Sequence, residues 1–142
     1  MAYITRNDYG AIAVNTRVIS KIIVKNLLEM KDCFVLCNKK GKLIKKNPTP
    51  FIDPDYYDAV EIIDNNKEFS IKIYLIPKFG KSISEMTDRL LEKIEKDFEL
   101  IQLRKPDKIT ISIKGILSRT ITKRNIEVTR SNEQWTNAAR SG

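Results

Sequence analysis

Ser82-Ile83-Ser84-Glu85-Met86-Thr87-Asp88-Arg89-Leu90-Leu91-Glu92-Lys93-Ile94-Glu95-Lys96-Asp97-Phe98 is the stretch whose reading decides the fold. Ile83, Met86, Leu90, Ile94 and Phe98 recur at intervals of three and four, so they line one side of a helix. Ser82 and Glu85 have capping-box spacing, in which each side chain satisfies a free backbone N–H near the helix start. Glu92 and Lys96 form an i,i+4 pair on the solvent side. A helix with one apolar stripe needs another layer to cover it.

The partner layer is legible on both sides of that helix. Downstream, beyond Pro106, Ile109, Ile111 and Ile113 alternate with Thr110, Ser112 and Lys114, the pattern of a strand with one buried face, and Gly115 punctuates its end. Upstream, Val60-Glu61-Ile62 and Phe69 to Ile76 read as two strands. Asp64-Asn65-Asn66-Lys67 between them is hairpin-turn chemistry. Further upstream, Tyr9 to Val14 alternates as a short strand and Asn15 serves as a helix N-cap. Val18, Ile19, Ile22, Ile23 and Leu27 then share one helical face, with Arg17, Lys21, Lys25 and Glu29 opposite. Cys33 to Cys37 reads as another strand, and Asn38 to Asp58, with Gly41, Pro48, Pro50 and Pro54, as a long irregular connection. The order is strand, helix, three strands, helix, strand. It predicts an α+β domain: a small mixed sheet with two amphipathic helices packed on one face. This domain covers residues 1–118 and carries a basic loop at 38–47. Residues 119–142 form a polar, basic C-terminal extension, in part disordered, within which Ile121 to Thr129 has the pattern of one more strand.

Composition bounds the function. The 142 residues make one domain, and 42% hydrophobic with 31% charged residues is a globular, soluble balance. No export signal or long apolar run is visible, so the expected location is cytoplasmic. There is no histidine, which removes the commonest general base and the commonest metal ligand. The two cysteines, Cys33 and Cys37, stand alone; in a strand they point to one face and read as core residues rather than as ligands. Asp53, Asp55 and Asp58 lack the glycine and terminal glutamate of a calcium loop, and Pro54 interrupts them. Phe79-Gly80-Lys81-Ser82 matches the end of a phosphate-binding loop, but Leu75 stands where its first glycine belongs, so it reads as a tight turn into a capped helix. No nucleophile sits beside an evident base. The expectation is a non-enzymatic protein with no catalytic residues, no cofactor and no metal.

The net charge of +8 is uneven: residues 38–47 carry +5 and residues 119–142 carry +3. Lys39, Lys40, Lys42, Lys45 and Lys46 are therefore the candidate contacts for an anionic surface. An RNA-binding module using the basic loop and tail is the alternative reading. The ribonucleoprotein aromatic signature and the glycine-x-x-glycine clamp are both absent, so no specific nucleic acid is expected.

The order of these motifs resembles the alkaline shock protein family. Tyr9-Gly10-Ala11-Ile12-Ala13-Val14-Asn15 with Val18-Ile19 is similar to the family's opening strand and helix. Phe69 to Ile76 followed by Phe79-Gly80, Ile83, Ser84 and Glu85 is similar to its central strand, aromatic-glycine turn and helix start. Ile109 to Ile116 is similar to its last strand, which ends in glycine and an aliphatic residue. The chain departs from the pattern in its lysine-rich segment, its longer tail, and Glu99-Leu100-Ile101-Gln102 where a glycine usually follows the second helix. The resemblance implies a non-enzymatic bacterial protein of cell-envelope homeostasis and the general, alkaline stress response. It implies a position at the inner face of the membrane, reached through a membrane-anchored protein partner and not by direct insertion, with self-association.

Overall fold

The computed structural model describes residues 4–6, 12–14, 16–44, 54–65 and 68–131. The chain runs through β1 (Ile4–Arg6), β2 (Ile12–Val14), α1 (Thr16–Glu29), β3 (Phe34–Leu36), a 3-10 helix (Pro54–Ala59), β4 (Val60–Asn65), β5 (Glu68–Pro77), α2 (Ile83–Ile101), β6 (Lys108–Leu117) and β7 (Ile121–Ser131). Strands β3 to β7 form one five-stranded mixed sheet. β5 is its centre. On one edge it pairs antiparallel with β4 and, further along, with β3; on the other it runs parallel to β6, which pairs antiparallel with β7. The parallel pair is joined through α2, as a crossover connection requires. The result is the expected α+β architecture, with two helices packed against a mixed sheet.

The core lies between the helices and one sheet face. Ile19, Ile23 and Leu27 of α1 and Leu90, Ile94 and Phe98 of α2 meet Ile71, Ile73 and Leu75 of β5 and Ile109, Ile111 and Ile113 of β6, all essentially inaccessible. Truncating one such side chain to alanine costs about 2–5 kcal/mol, because the cavity collapses only in part. α1 is rich in β-branched residues, which disfavour an isolated helix. Its stability comes from this packing and from a polar clamp to α2. Asn26 is buried, and its Nδ2 donates to Ile22 O at 2.9 Å and to Asp97 Oδ2 at 2.8 Å. Lys93 Nζ lies 2.8 Å from Glu29 Oε2 beside it. Ser82 caps α2, its side chain accepting from Glu85 N at 3.2 Å. Gln102 closes the helix in the left-handed region at φ 60.

Several expectations are corrected. The first strand is not part of the main sheet: β2 pairs with β1, a strand the sequence reading did not contain, in a separate two-stranded sheet. Asn15, the expected cap of α1, lies outside the described residues, as do Asn66 and Lys67 of the hairpin turn. Among the described residues Glu92 and Lys96 make no ion pair. The ionic contacts of α2 run instead to Glu29 through Lys93, to Lys105 through Glu95 and Glu99, and to Arg130 through Asp88. The connection from Asn38 to Asp58 is not wholly irregular. It begins with a tight turn and ends in the 3-10 helix, whose Tyr56 and Ala59 are buried in the core.

β6 does not stop at Gly115 and does not have one wet face. Thr110 and Ser112 are buried as well as the isoleucines. The strand continues to Leu117, and its pairing with β7 shifts register between Ile113 and Gly115. Beyond the shift, Leu117 and Ile121 pack with Tyr74, Ile76, Val35 and Cys37 in a second, smaller cluster on the sheet face away from the helices. Gly115 permits this crossing: a Cβ there would lie 2.8 Å from Ile121 Cγ2 and 3.0 Å from the Thr122 carbonyl oxygen. β7 itself takes up much of the presumed C-terminal extension, carrying the sheet through Ser131; the rest of that extension lies outside the described residues. Among the described residues no helix is long and apolar enough to cross a membrane.

Candidate functional site

The basic segment begins with a turn that Asn38 organises. Its N–H donates to Lys42 O at 2.9 Å, and its carbonyl accepts from Gly41 N at 2.9 Å. Its side-chain Oδ1 accepts from Lys40 N at 2.9 Å and from Lys42 N at 3.0 Å. Asparagine suits this position because its short amide can satisfy backbone N–H groups that a turn leaves free. Gly41 takes φ +83, a conformation side chains resist. Cys37 and Leu43 then face each other as an antiparallel bridge, and Ile44 N donates to Leu36 O at 3.1 Å.

The turn presents Lys39, Lys40 and Lys42 as exposed cations. Lys39 Nζ stands 3.8 Å from Glu61 Oε2. Lys45 and Lys46 lie outside the described residues. The turn rests against β6: a Cβ on Gly41 would touch Lys114 Cβ at 3.4 Å. The structure thus joins to the basic turn a part of the sheet that the sequence reading left out. Lys114 and Lys72 flank the Tyr74 ring, each Nζ 5.8 Å from its centroid, within reach of a cation–π attraction. Lys72 also pairs with Glu127 of β7 at 3.3 Å. The signal was present in the sequence as the polar positions of two alternating strands, which read as solvent-facing.

Tyr74 and Ser112 are register partners on adjacent strands. Both are buried, and neither hydroxyl has a hydrogen-bond partner among the described residues. Burial raises the Tyr74 phenol above its ordinary value, helped by the nearby charges of Glu61 and Glu127. Burial likewise pushes the Cys37 thiol up to about 11, against the opposing influence of Lys114. Cys37 is therefore a protonated, inert thiol at neutral pH. It does not share a face with Cys33 in the way the strand reading expects. Cys33 precedes β3 in the turn, where its N–H donates to Met30 O at 2.9 Å, and it packs against the helix-side core, whereas Cys37 belongs to the second cluster.

Chemically, this arrangement offers charge and hydrogen bonding without an activated nucleophile or base. Among the described residues no group of three or more acidic or cysteine side chains is placed to hold a metal ion. No protein-family model, curated protein or solved structure matches the chain.

Proposed function

We propose that this chain is a non-enzymatic bacterial protein of cell-envelope homeostasis and the general stress response, working through contacts with other proteins and with copies of itself at the inner face of the membrane. The family resemblance of its motif order motivates the envelope assignment. The observation that carries the mode of action is β7. It is an eleven-residue strand at the border of the sheet, and no described strand pairs along its outer edge. Such an edge is a template for adding another chain. The basic turn with Lys39, Lys40 and Lys42 adds attraction to anionic surfaces, worth about 1 kcal/mol per lysine near an anionic leaflet and screened within a Debye length. A membrane-anchored protein partner supplies the attachment that this weak attraction does not.

The aromatic residue that the lysines beside the turn flank argues for this reading over RNA binding. Tyr74 is buried beneath Lys72 and Lys114, so it has no free ring face on which a base could stack. The test combines sedimentation velocity across the micromolar range with flotation on anionic liposomes. Concentration-dependent association and weak, salt-sensitive flotation are expected. A strictly monomeric profile would sink the self-assembly reading, and salt-resistant binding to bare liposomes would remove the need for a protein partner. Tight RNA binding that is lost on changing Lys39, Lys40 and Lys42 to serine would overturn the assignment in favour of a nucleic-acid module.

A further inference from the structure

A cavity of about 260 Å³ opens between the end of α1, β3, the turn after it and the 3-10 helix. Its walls are core residues: Leu27, Phe34, Leu36 and Tyr56 are all buried. Its mouth is marked by Leu43, which lines the cavity and is 43% exposed. Lys31, in the turn after α1, is the one charged residue among the described lining residues. Its side chain is exposed, so the cation stands at the surface end of an apolar chamber.

We infer that this cavity binds a medium-chain aliphatic carboxylate, with the chain between Leu27, Phe34 and Leu36 and the carboxylate at Lys31. The lining favours an unbranched apolar chain over a polar metabolite, because a buried polar group would find few partners there. The lysine at the mouth selects an anionic head group, the usual division of labour in a ligand pocket between apolar walls and one or two orienting polar groups. The volume of about 260 Å³ lies just below the roughly 300–1,000 Å³ of pockets for drug-sized ligands, which suits a short chain of about eight carbons. The inference stands apart from the proposed function, since it uses neither β7 nor the lysines of the basic turn.

The experiment titrates the full chain with octanoate and with methyl octanoate, by calorimetry and by amide chemical shifts. The ester has the same chain without the charge and stands for an acyl chain already linked in a lipid. Octanoate is expected to bind with shifts concentrated at residues 27–36 and 43–44, and the ester at least about tenfold more weakly. Lys31→Glu should weaken octanoate by at least about tenfold while Lys31→Arg retains it. Leu43→Trp, a change at an exposed position that leaves the core intact, should block both ligands. No octanoate binding in the low millimolar range, equal binding of acid and ester, or undiminished binding by Leu43→Trp would each overturn the inference.

Discussion

Gly115→Ala tests how the sheet joins its two clusters. The new methyl would stand 2.8 Å from Ile121 Cγ2 and 3.0 Å from the Thr122 carbonyl oxygen. Ordinary carbon–carbon contacts lie at about 3.5–4.0 Å, so β6 and β7 must part by roughly an ångström or Ile121 must leave its rotamer. Neither is easy: Ile121 is β-branched and stiff at χ1, and the second contact is to backbone. Overpacking of this kind costs about 1–3 kcal/mol. Restricting the unfolded chain by exchanging glycine for alanine returns about 0.4–1 kcal/mol, leaving a net loss of roughly 0.5–2 kcal/mol. For a chain of this size that is a fall in Tm of about 2–8 °C. Urea unfolding followed by circular dichroism gives the loss, and amide exchange should show it concentrated in β7. The same substitution in an Ile121→Ala background should cost less, because the closer of the two contacts is gone. An alanine variant as stable as the parent, or an equal cost in both backgrounds, would refute the role given to Gly115.

Three further outcomes follow from particular groups. Native protein at neutral pH should take one equivalent of a maleimide, at partly exposed Cys33, and a second only after unfolding, because Cys37 is buried with its thiol pushed up to about 11; peptide mass mapping reads this directly. Asn38→Ala should remove the one side-chain acceptor of two hydrogen bonds in the turn, costing about 1–2 kcal/mol by the usual worth of such bonds, with faster exchange at the Lys40 and Lys42 amides as the local check. Burial raises the Glu95 carboxyl above its ordinary 4.5, against the pull of Lys105. The native state therefore holds this proton to higher pH than the unfolded chain, and the ionised carboxylate costs stability above the native value. That cost is relieved as pH falls through the native value toward 4.5. Glu95→Gln should accordingly be more stable than the parent at neutral pH, with the advantage gone in acid, as urea unfolding across that range would measure.

The helix-side core was legible because its periodicities are simple. Met86, Leu90, Ile94 and Phe98 repeat at the helical period and Ile109, Ile111 and Ile113 at the strand period, and all seven are buried together. What the sequence concealed was long-range. Strand pattern alone does not say which strands are neighbours, so nothing in Ile12 to Val14 announced that it pairs with Ile4 to Arg6 and not with the main sheet. Ile121 to Thr129 does have the pattern of a strand, but because β7 borders the sheet its six residues from Thr122 to Glu127 are all exposed, and nothing in that pattern says that it pairs with β6. Asn26 was hidden for a different reason. A polar residue on an apolar helical face looks like an interruption until Asp97 and the Ile22 carbonyl satisfy its amide.

The candidate site escaped the sequence for a reason built into the alternation rule itself. The rule assigns every second residue of a half-buried strand to water, and so it sets aside Lys72, Tyr74, Ser112 and Lys114 as one solvated face. In the structure that face has a buried centre. The register shift after Ile113 brings Leu117 and Ile121 over to it, where with Val35, Cys37 and Ile76 they enclose Tyr74. The lysines remain at the border, held near the ring by their attraction to it and, for Lys72, by Glu127. The same local event accounts for both properties: a change of phase in β6, permitted by a glycine, produces the apolar floor and leaves the cations standing around it. The basic turn adds its charge here because Gly41 lets its backbone approach Lys114 closely. A run of lysines in the sequence thus becomes a positioned surface only through contacts with a strand some seventy residues away, and it is this surface, with the edge of β7, that the proposed function assigns to a partner.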